Sequence, residues 1–360
     1  MAAVALVLRT SWAGEQICAT AAGVLTRLAG ARVELDRCEI EPLGQVLVVE
    51  GIRVSTGASE RPLFAARRLL VDLAPLVFGR SLSLERVELE GPVVDLVVPP
   101  SQGADEADGD GPDDGCLDLL QRFEIEKLRI RDASAHVLLP DGAAATVDAL
   151  DLEVDRVRRA YEARLDLRHA AFASGGTRVP VESLEAQVRL DPAAERLDVD
   201  SVRLAGAGAG VAVHGSISRL CNPTVALQAT VNVAFPALAG VFVPAMENVV
   251  GEATVQAAVS GPAAAPSIDA RARVEDLAFD EFELGEVELE AALEGRTLTL
   301  KQLAWPVGQG RAIVRGEVEL EGDLPARVDV VTEKLPFEAL LAKLPIKNTP
   351  VQMAIDSEHH

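Results

Sequence analysis

Three interior histidines, His136, His169 and His214, stand singly among apolar or charged neighbours with no second ligand close by in the chain. They read as exposed or satisfied strand residues rather than as a metal or catalytic centre. The run Gly206-Ala207-Gly208-Ala209-Gly210 has the look of a phosphate cradle, but no Lys-Ser/Thr follows it and its neighbours alternate like strands, so it reads as a flexible hairpin. No G-x-S-x-G elbow occurs, and the carboxylates are spread out rather than paired into an acid/base dyad. The four cysteines, Cys18, Cys38, Cys116 and Cys221, form no CxxC pair and lack zinc-knuckle spacing, and they read as buried or idle thiols. The expectation is a protein that is not an enzyme, with no catalytic residue, no metal and no cofactor.

The charge balance narrows the partners. With 34 Lys+Arg against 56 Asp+Glu the formal charge is −22, which argues against nucleic-acid binding. Apolar residues make up 49% of the chain but aromatics only 3%, so Ala, Val and Leu must supply the buried area that Phe, Tyr and Trp usually provide. A mean hydropathy of +0.19 beside so large a charge implies segregation, with one surface oily and another acidic.

The elements that carry these residues are mostly strands. Glu286 to Glu294 places Val287, Leu289, Ala291 and Leu293 on one face and Glu286, Glu288, Glu290 and Glu294 on the other, the pattern of a half-buried strand. Tyr161 to Arg168, with Ala163, Leu165 and Leu167 opposed to charged residues, repeats it, as do Val318 and Leu320. Charged alternates imply an antiparallel sheet with one wet face. A second pattern, apolar residues at i, i+2, i+5 and i+7, recurs in eight copies. They start at Leu47, Leu82, Phe123, Val147, Val179, Leu197, Ala272 and Leu298. In a helix these positions point both ways; in a strand they mean one switch of parity, which a bulge or bend supplies. An offset of 101 matches Leu197 with Leu298 and Gly215 with Gly316, the mark of a repeat protein.

Residues 12–30 carry Ile17, Ala21, Val24, Leu25 and Leu28 at helical spacing before Gly30, and predict an amphipathic helix. If strand 32–40 runs back along it, Cys18 and Cys38 lie at similar heights, and a disulfide between them would staple the helix over the first strands. Phe235 to Met246 and Leu335 to Leu344 predict short accessory helices. Ser101 to Gly115 holds six acidic residues and four Gly without EF-hand spacing, and reads as a solvated loop. The apolar run Ala2 to Leu8 is far short of the roughly 20 residues that span a bilayer. It reads as the end of something cropped, and Glu358-His359-His360 as the start of a purification tag. The expected organisation is residues 1–100 as the helix and first strands of a groove, 101–115 as the acidic loop, 116–356 as a repeating β segment and 357–360 as a tag remnant.

About twenty strands at about 4.8 Å each would reach roughly 90 Å. A sheet of that length must close, pair with another, or fold lengthwise into a trough. Regular bends favour the trough, and small aliphatic side chains would leave it open.

Phe64-Ala65-Ala66-Arg67-Arg68-Leu69-Leu70-Val71-Asp72-Leu73, then Gly79-Arg80-Ser81-Leu82, then Leu84 through Val94, resemble the AsmA-like family and, within it, the TamB-type envelope proteins. Gly251 to Val331 is similar to a TamB-type repeat, with Gly261 and Pro266 in the connection, Leu284-Gly285 between paired strands and Gly316 late in the unit. The resemblance implies a mainly β protein: an elongated, U-shaped antiparallel sheet, a β-taco, held in the periplasm of a Gram-negative bacterium by an inner-membrane anchor. Its groove would shield phospholipid acyl chains on the way to the outer membrane. Against the family pattern this chain lacks an intact N-terminal anchor and the C-terminal region that meets an outer-membrane partner. The groove lining expected here is Leu165, Leu167, Leu197, Val199, Val287, Leu289, Leu293, Leu298, Leu300, Val318, Leu320, Val328 and Val330. The competing expectation is a non-catalytic assembly factor whose open sheet edge templates outer-membrane β-barrel strands by β-augmentation.

Overall fold

The computed structural model describes residues 11–29, 31–41, 46–56, 62–73, 83–98, 124–140, 142–175, 177–236, 248–279, 282–307, 310–320 and 326–333. The acidic insert, the segment Leu335 to Leu344 and residues 357–360 lie outside them, and of Phe235 to Met246 only Phe235 and Pro236 are described. The protein is mainly β. It divides into two compact units, Met1–Leu204 and Ala205–His360, a boundary that falls inside regular strand sequence rather than at the acidic insert.

The first unit opens with a helix, α1 (Ser11–Ala29). Its strands are β1 (Arg32–Glu41), β2 (Val46–Ser55), β3 (Phe64–Leu73), β4 (Ser83–Glu90), β5 (Val93–Val97), β6 (Glu124–Ile125), β7 (Lys127–Leu138), β8 (Ala144–Val157), β9 (Ala160–Ser174) and β10 (Thr177–Asp191). β11 (Arg196–Gly206) carries the chain across the division. The second unit holds β12 (Ala209–Ser218), β13 (Thr224–Ala234), β14 (Val249–Pro262), β15 (Ser267–Phe279), β16 (Phe282–Glu294), β17 (Thr297–Val307), β18 (Gly310–Glu319) and β19 (Ala326–Glu333).

Within each unit, most strands pair with their chain neighbours and run antiparallel; β3 also pairs antiparallel with β5, and one junction is parallel. β4 and β5 pair in parallel with β6 and β7, at a constant offset of 41 residues that sets Leu84 by Ile125, Val87 by Leu128 and Val94 by Ala135. The sheet is antiparallel, as the charged alternates imply, apart from this junction, since alternation reports which face is wet and not which way each neighbour runs.

Four strands change parity at a residue with a left-handed backbone. Gly51 in β2, Asp132 in β7, His169 in β9 and Asp276 in β15 have φ of 65°, 53°, 63° and 53°, and each sits between two apolar pairs of its strand. One residue in the left-handed region turns the next side chain back to the face it would have left, and Gly, Asp and His are types that accept that region. His169 is thus an exposed bend residue. The Asp132 N–H donates to Asp151 Oδ1 at 2.8 Å, which fixes the bend of β7 against β8. In β8 the switch comes one step before the place its spacing gives: Leu150, not Ala149, stands level with Ala133 and Leu167.

Turns follow their residues. Asp191 Oδ1 accepts from the N–H groups of Ala193 and Ala194, both at 3.1 Å, an Asx turn that closes β10. Ala207 and Gly208 have φ of 49° and 71°, the two-residue primed turn that suits a hairpin.

Gly215 makes the tightest contact with neighbouring backbone. A Cβ placed there would meet Ala226 O at 2.2 Å and Leu227 Cα at 2.8 Å, at a φ of +140°. Both obstacles are backbone of β13, so neither can swing away. Gly215→Ala is expected to lower stability by about 2–3 kcal/mol in urea unfolding followed by circular dichroism. Gly210→Ala in the same strand, where nothing lies within 4 Å, should be neutral or slightly stabilising.

Candidate functional site

Cross-strand neighbours share a face, so the register shows where the apolar residues line up. In the first unit one row runs Cys38, Val49, Leu69, Leu89, Ile130, Leu152, Leu165 and Ala186. On the other side of the bends a second row runs Val33, Val54, Phe64, Val94, Ala135, Val147, Ala170 and Val181. Each crosses eight strands, about 34 Å at about 4.8 Å per step.

In the second unit three rows cross all eight strands without a break. One runs Gly215, Leu227, Val259, Ile268, Leu293, Leu298, Val318 and Ala326; a parallel one runs Val211, Val231, Val255, Ala272, Leu289, Leu303, Val314 and Val330. Between them lies a row of smaller residues, Val213, Ala229, Ala257, Ala270, Ala291, Leu300, Gly316 and Val328. The middle row is smallest at Gly316 and at Ala229, Ala257, Ala270 and Ala291.

Of the residues singled out in the sequence, Leu165 and Leu167 fall on the first unit's apolar face. Val287, Leu289, Leu293, Leu298, Leu300, Val318, Val328 and Val330 fall on the second unit's. Leu197 and Val199 lie on β11, the second of them buried. Leu320 stands past the end of β18, its N–H donating to Arg296 O at 2.8 Å, and is 48% exposed. Sequence reasoning missed that β1 and β3 share the apolar face, although Val33/Leu35/Cys38/Ile40 and Phe64/Ala66/Leu69/Val71 carry the same i, i+2, i+5, i+7 spacing. Alanine and cysteine at key positions weaken that signal.

These rows are largely uncovered. Among the described residues no large side chain is fully buried, and although Val33, Cys38 and Val49 at the β1 end are well covered, Leu96, Phe172, Leu298 and Val328 on these faces are each more than a third exposed. Two stacked sheets of this size would bury most of their inner aliphatics; here Leu150, Leu152, Ile268, Leu289 and Leu300 remain half-buried.

The opposite face is a lattice of cross-strand ion pairs. Arg129 meets Glu153 at 2.7 Å, Arg168 meets Asp151 at 3.0 Å, Arg273 meets Glu286 at 2.8 Å and Arg311 meets Glu288 at 3.2 Å. The hydrogen bond that Arg129 donates to Glu153 holds its guanidinium above its ordinary range, and the one that Arg53 donates to Asp36 does the same there. Exposed pairs of this kind contribute about 0–1 kcal/mol each; they fix register and keep this face wet. A depression of about 590 Å³ is lined by Arg129, Arg131, Arg164 and Arg203, by Asp151, Glu153, Asp166 and Glu185, and by Ile130, Leu152, Leu165 and Ala186 of the apolar row, so neither charge sign prevails in it.

The chemistry-bearing residues stay apart. His136 Nδ1 lies 3.3 Å from Asp95 Oδ1 and His214 Nε2 lies 3.1 Å from Gln228 Oε1, on different strands. Among the described residues no three His, Cys, Asp or Glu side chains are grouped to hold a metal. The cysteines depart from the expectation of idle thiols: Cys18 and Cys38 are joined in a disulfide with Cα atoms 5.4 Å apart, and Cys221 is also disulfide-bonded. No described helix is long and apolar enough to cross a membrane. Comparison of the chain with protein-family models, with curated proteins and with solved structures finds no match in any of the three.

Proposed function

We propose that this protein carries phospholipid acyl chains along its apolar face, without catalysis, in the periplasm between inner and outer membranes. The observation that carries the reading is the pairing of unbroken aliphatic rows with the absence, among the described residues, of any fully buried large side chain. A face built this way is stable only because strand pairing supports it, and it gains when a ligand covers it. One acyl chain spans about 15 Å, half the hydrocarbon thickness of a bilayer, so a row of about 34 Å in either unit accommodates it with room to move on.

The energetics favour a rail over a pocket. Each methylene is worth about 0.8 kcal/mol, so a sixteen-carbon chain crossing bare water loses about 12 kcal/mol. A continuous apolar row replaces that barrier with a series of nearly equal contacts, and the headgroup stays in water. The U-shaped groove, the membrane anchor and the outer-membrane partner belong to this reading through the resemblance to TamB-type proteins. Purified protein should carry phospholipid near one or more molecules per chain in native mass spectrometry; a delipidated chain that takes up no fluorescent acyl lipid would exclude the proposal.

One feature supports the assembly reading instead. Among the described residues β19 pairs only with β18, and six of its eight residues are exposed, as a template for an added strand requires. That reading expects binding of unfolded barrel segments by protein that holds no lipid.

A further inference from the structure

The first unit's apolar face is uncovered over most of its extent but not at its β1 end. There α1 lies on it. Cys18 of the helix and Cys38, Val49, Ile52 and Ala66 of the first three strands form a buried cluster, each 3–8% exposed, with Leu35, Leu47, Phe64, Leu69 and Leu89 packed against it. Cys38, Val49, Leu69 and Leu89 are the first four members of the row that continues through Ile130 and Leu152. The helix therefore occupies the same surface that the proposed ligand would use. Two bonds hold it: the Cys18–Cys38 disulfide and a hydrogen bond in which the Val33 N–H donates to Thr26 Oγ1 at 3.1 Å.

We propose that α1 is an internal occupant of the acyl track, a stopper that seals the β1 edge of the apolar face, and that the Cys18–Cys38 bond locks it in place. This inference rests on the acyl-carrier reading for its meaning but not for its test. With the bond intact, a chain on the track can move only away from β1. Breaking the bond takes a dithiol: its thiolate attacks one sulfur, the second thiol displaces the mixed disulfide, and two electrons and two protons pass to Cys18 and Cys38 as the dithiol becomes a cyclic disulfide. Cys18 and Cys38 are 7% and 3% exposed, so attack has to wait for α1 to lift, which makes the bond a lock that holds against casual reduction. The bond closes a loop between residues 20 apart. By the chain-entropy relation, its removal should raise the population of lifted helix by on the order of a hundredfold.

The experiment compares maleimide labelling of Leu69→Cys in the otherwise unchanged protein and in a Cys18→Ala/Cys38→Ala background. Labelling is expected to quicken by on the order of a hundredfold in the second, whereas Leu152→Cys, in the same row beyond the helix, should change by less than about twofold. Equal rates for Leu69→Cys in both backgrounds would overturn the stopper. If the double alanine chain loses its strand signal, hydrogen exchange of the α1 amides in the unsubstituted protein before and after dithiothreitol gives the same answer: protection that survives reduction overturns the lock, and protection that is lost supports it. A fluorescent fatty acid is then titrated into the locked and unlocked forms. More acyl probe bound per chain after unlocking supports the shared track; faster labelling with no acyl binding in either form leaves the seal standing and removes the acyl-carrier reading.

Discussion

Leu289→Asp is expected to reduce bound phospholipid by about tenfold or more while leaving the strand signal in circular dichroism unchanged. Leu289 stands between Ala272 and Leu303 in a row of the second unit and is half-buried. In a filled core the substitution would forfeit about 2–3 kcal/mol of transfer energy and add the several kcal/mol needed to bury a carboxylate, enough to unfold the unit. On an uncovered face the carboxylate keeps its water, and the cost falls to about 1 kcal/mol, the part of the leucine that neighbours already shield. The acyl chain bears the penalty instead, because contact with the row now requires stripping that water. Glu288→Gln, one residue along on the charged face, loses only the exposed pair with Arg311 and should alter neither lipid content nor fold. An unfolded Leu289→Asp chain would mean the rows pack against another layer, and the transport reading would fall with it.

The alternation and the parity switches were legible because both are set locally. A strand has period two, and a bulge or bend resets it, as where the ladder shifts register between Leu300 and Leu303, so Leu298/Leu300/Leu303/Trp305 and Val179/Val181/Leu184/Ala186 could be read directly from spacing. The slip in β8 was not legible, because Ala149 and Leu150 are both apolar and either satisfies the spacing. Only the partners Ala133 and Leu167 decide between them.

Strand direction is a non-local property: the antiparallel reading holds along the sheet, and the parallel junction is the part that escaped it. Leu82 to Glu90 and Phe123 to Arg131 have the same alternation, and each alone fits an antiparallel neighbour. A signal was present nonetheless: the two copies are separated by far more residues than a hairpin uses, and a long connection is what parallel neighbours need. The functional face was legible as a set of residues, since Val287, Leu289 and Leu293 declare their side by alternating with glutamates. What covers it was not. The sequence shows which side chains avoid charge; burial shows that among the described residues they also lack a partner layer. The staple had one local clue, a cysteine on each of two adjacent elements, and needed the helix to lie back along β1 before the 5.4 Å approach of their Cα atoms could follow.

The same uncovered face makes solubility depend steeply on charge. At pH 7 the formal charge of −22 keeps copies apart although aliphatic side chains face water, for like-charged surfaces repel over about a Debye length, roughly 8 Å at physiological salt. Near pH 4.7 the net charge vanishes, the repulsion goes with it, and Leu96, Phe172, Leu298 and Val328 stay exposed. The bulk of the protein should then self-associate between about pH 4 and 5 in sedimentation velocity, and return to monomer at pH 7. Salt and detergent separate the cause from ordinary isoelectric precipitation. Added salt screens charge attraction between copies, so it would dissolve a precipitate held by ion pairs, but it should leave this one intact because apolar contact is not screened. A mild non-ionic detergent should disperse it at pH 4.7 by laying its alkyl chains on the rows, and lipid-loaded protein should resist association from the start. Protein that remains monomeric at pH 4.7 without detergent or lipid would show that the aliphatic rows are already shielded from water, leaving no surface for an acyl chain to claim.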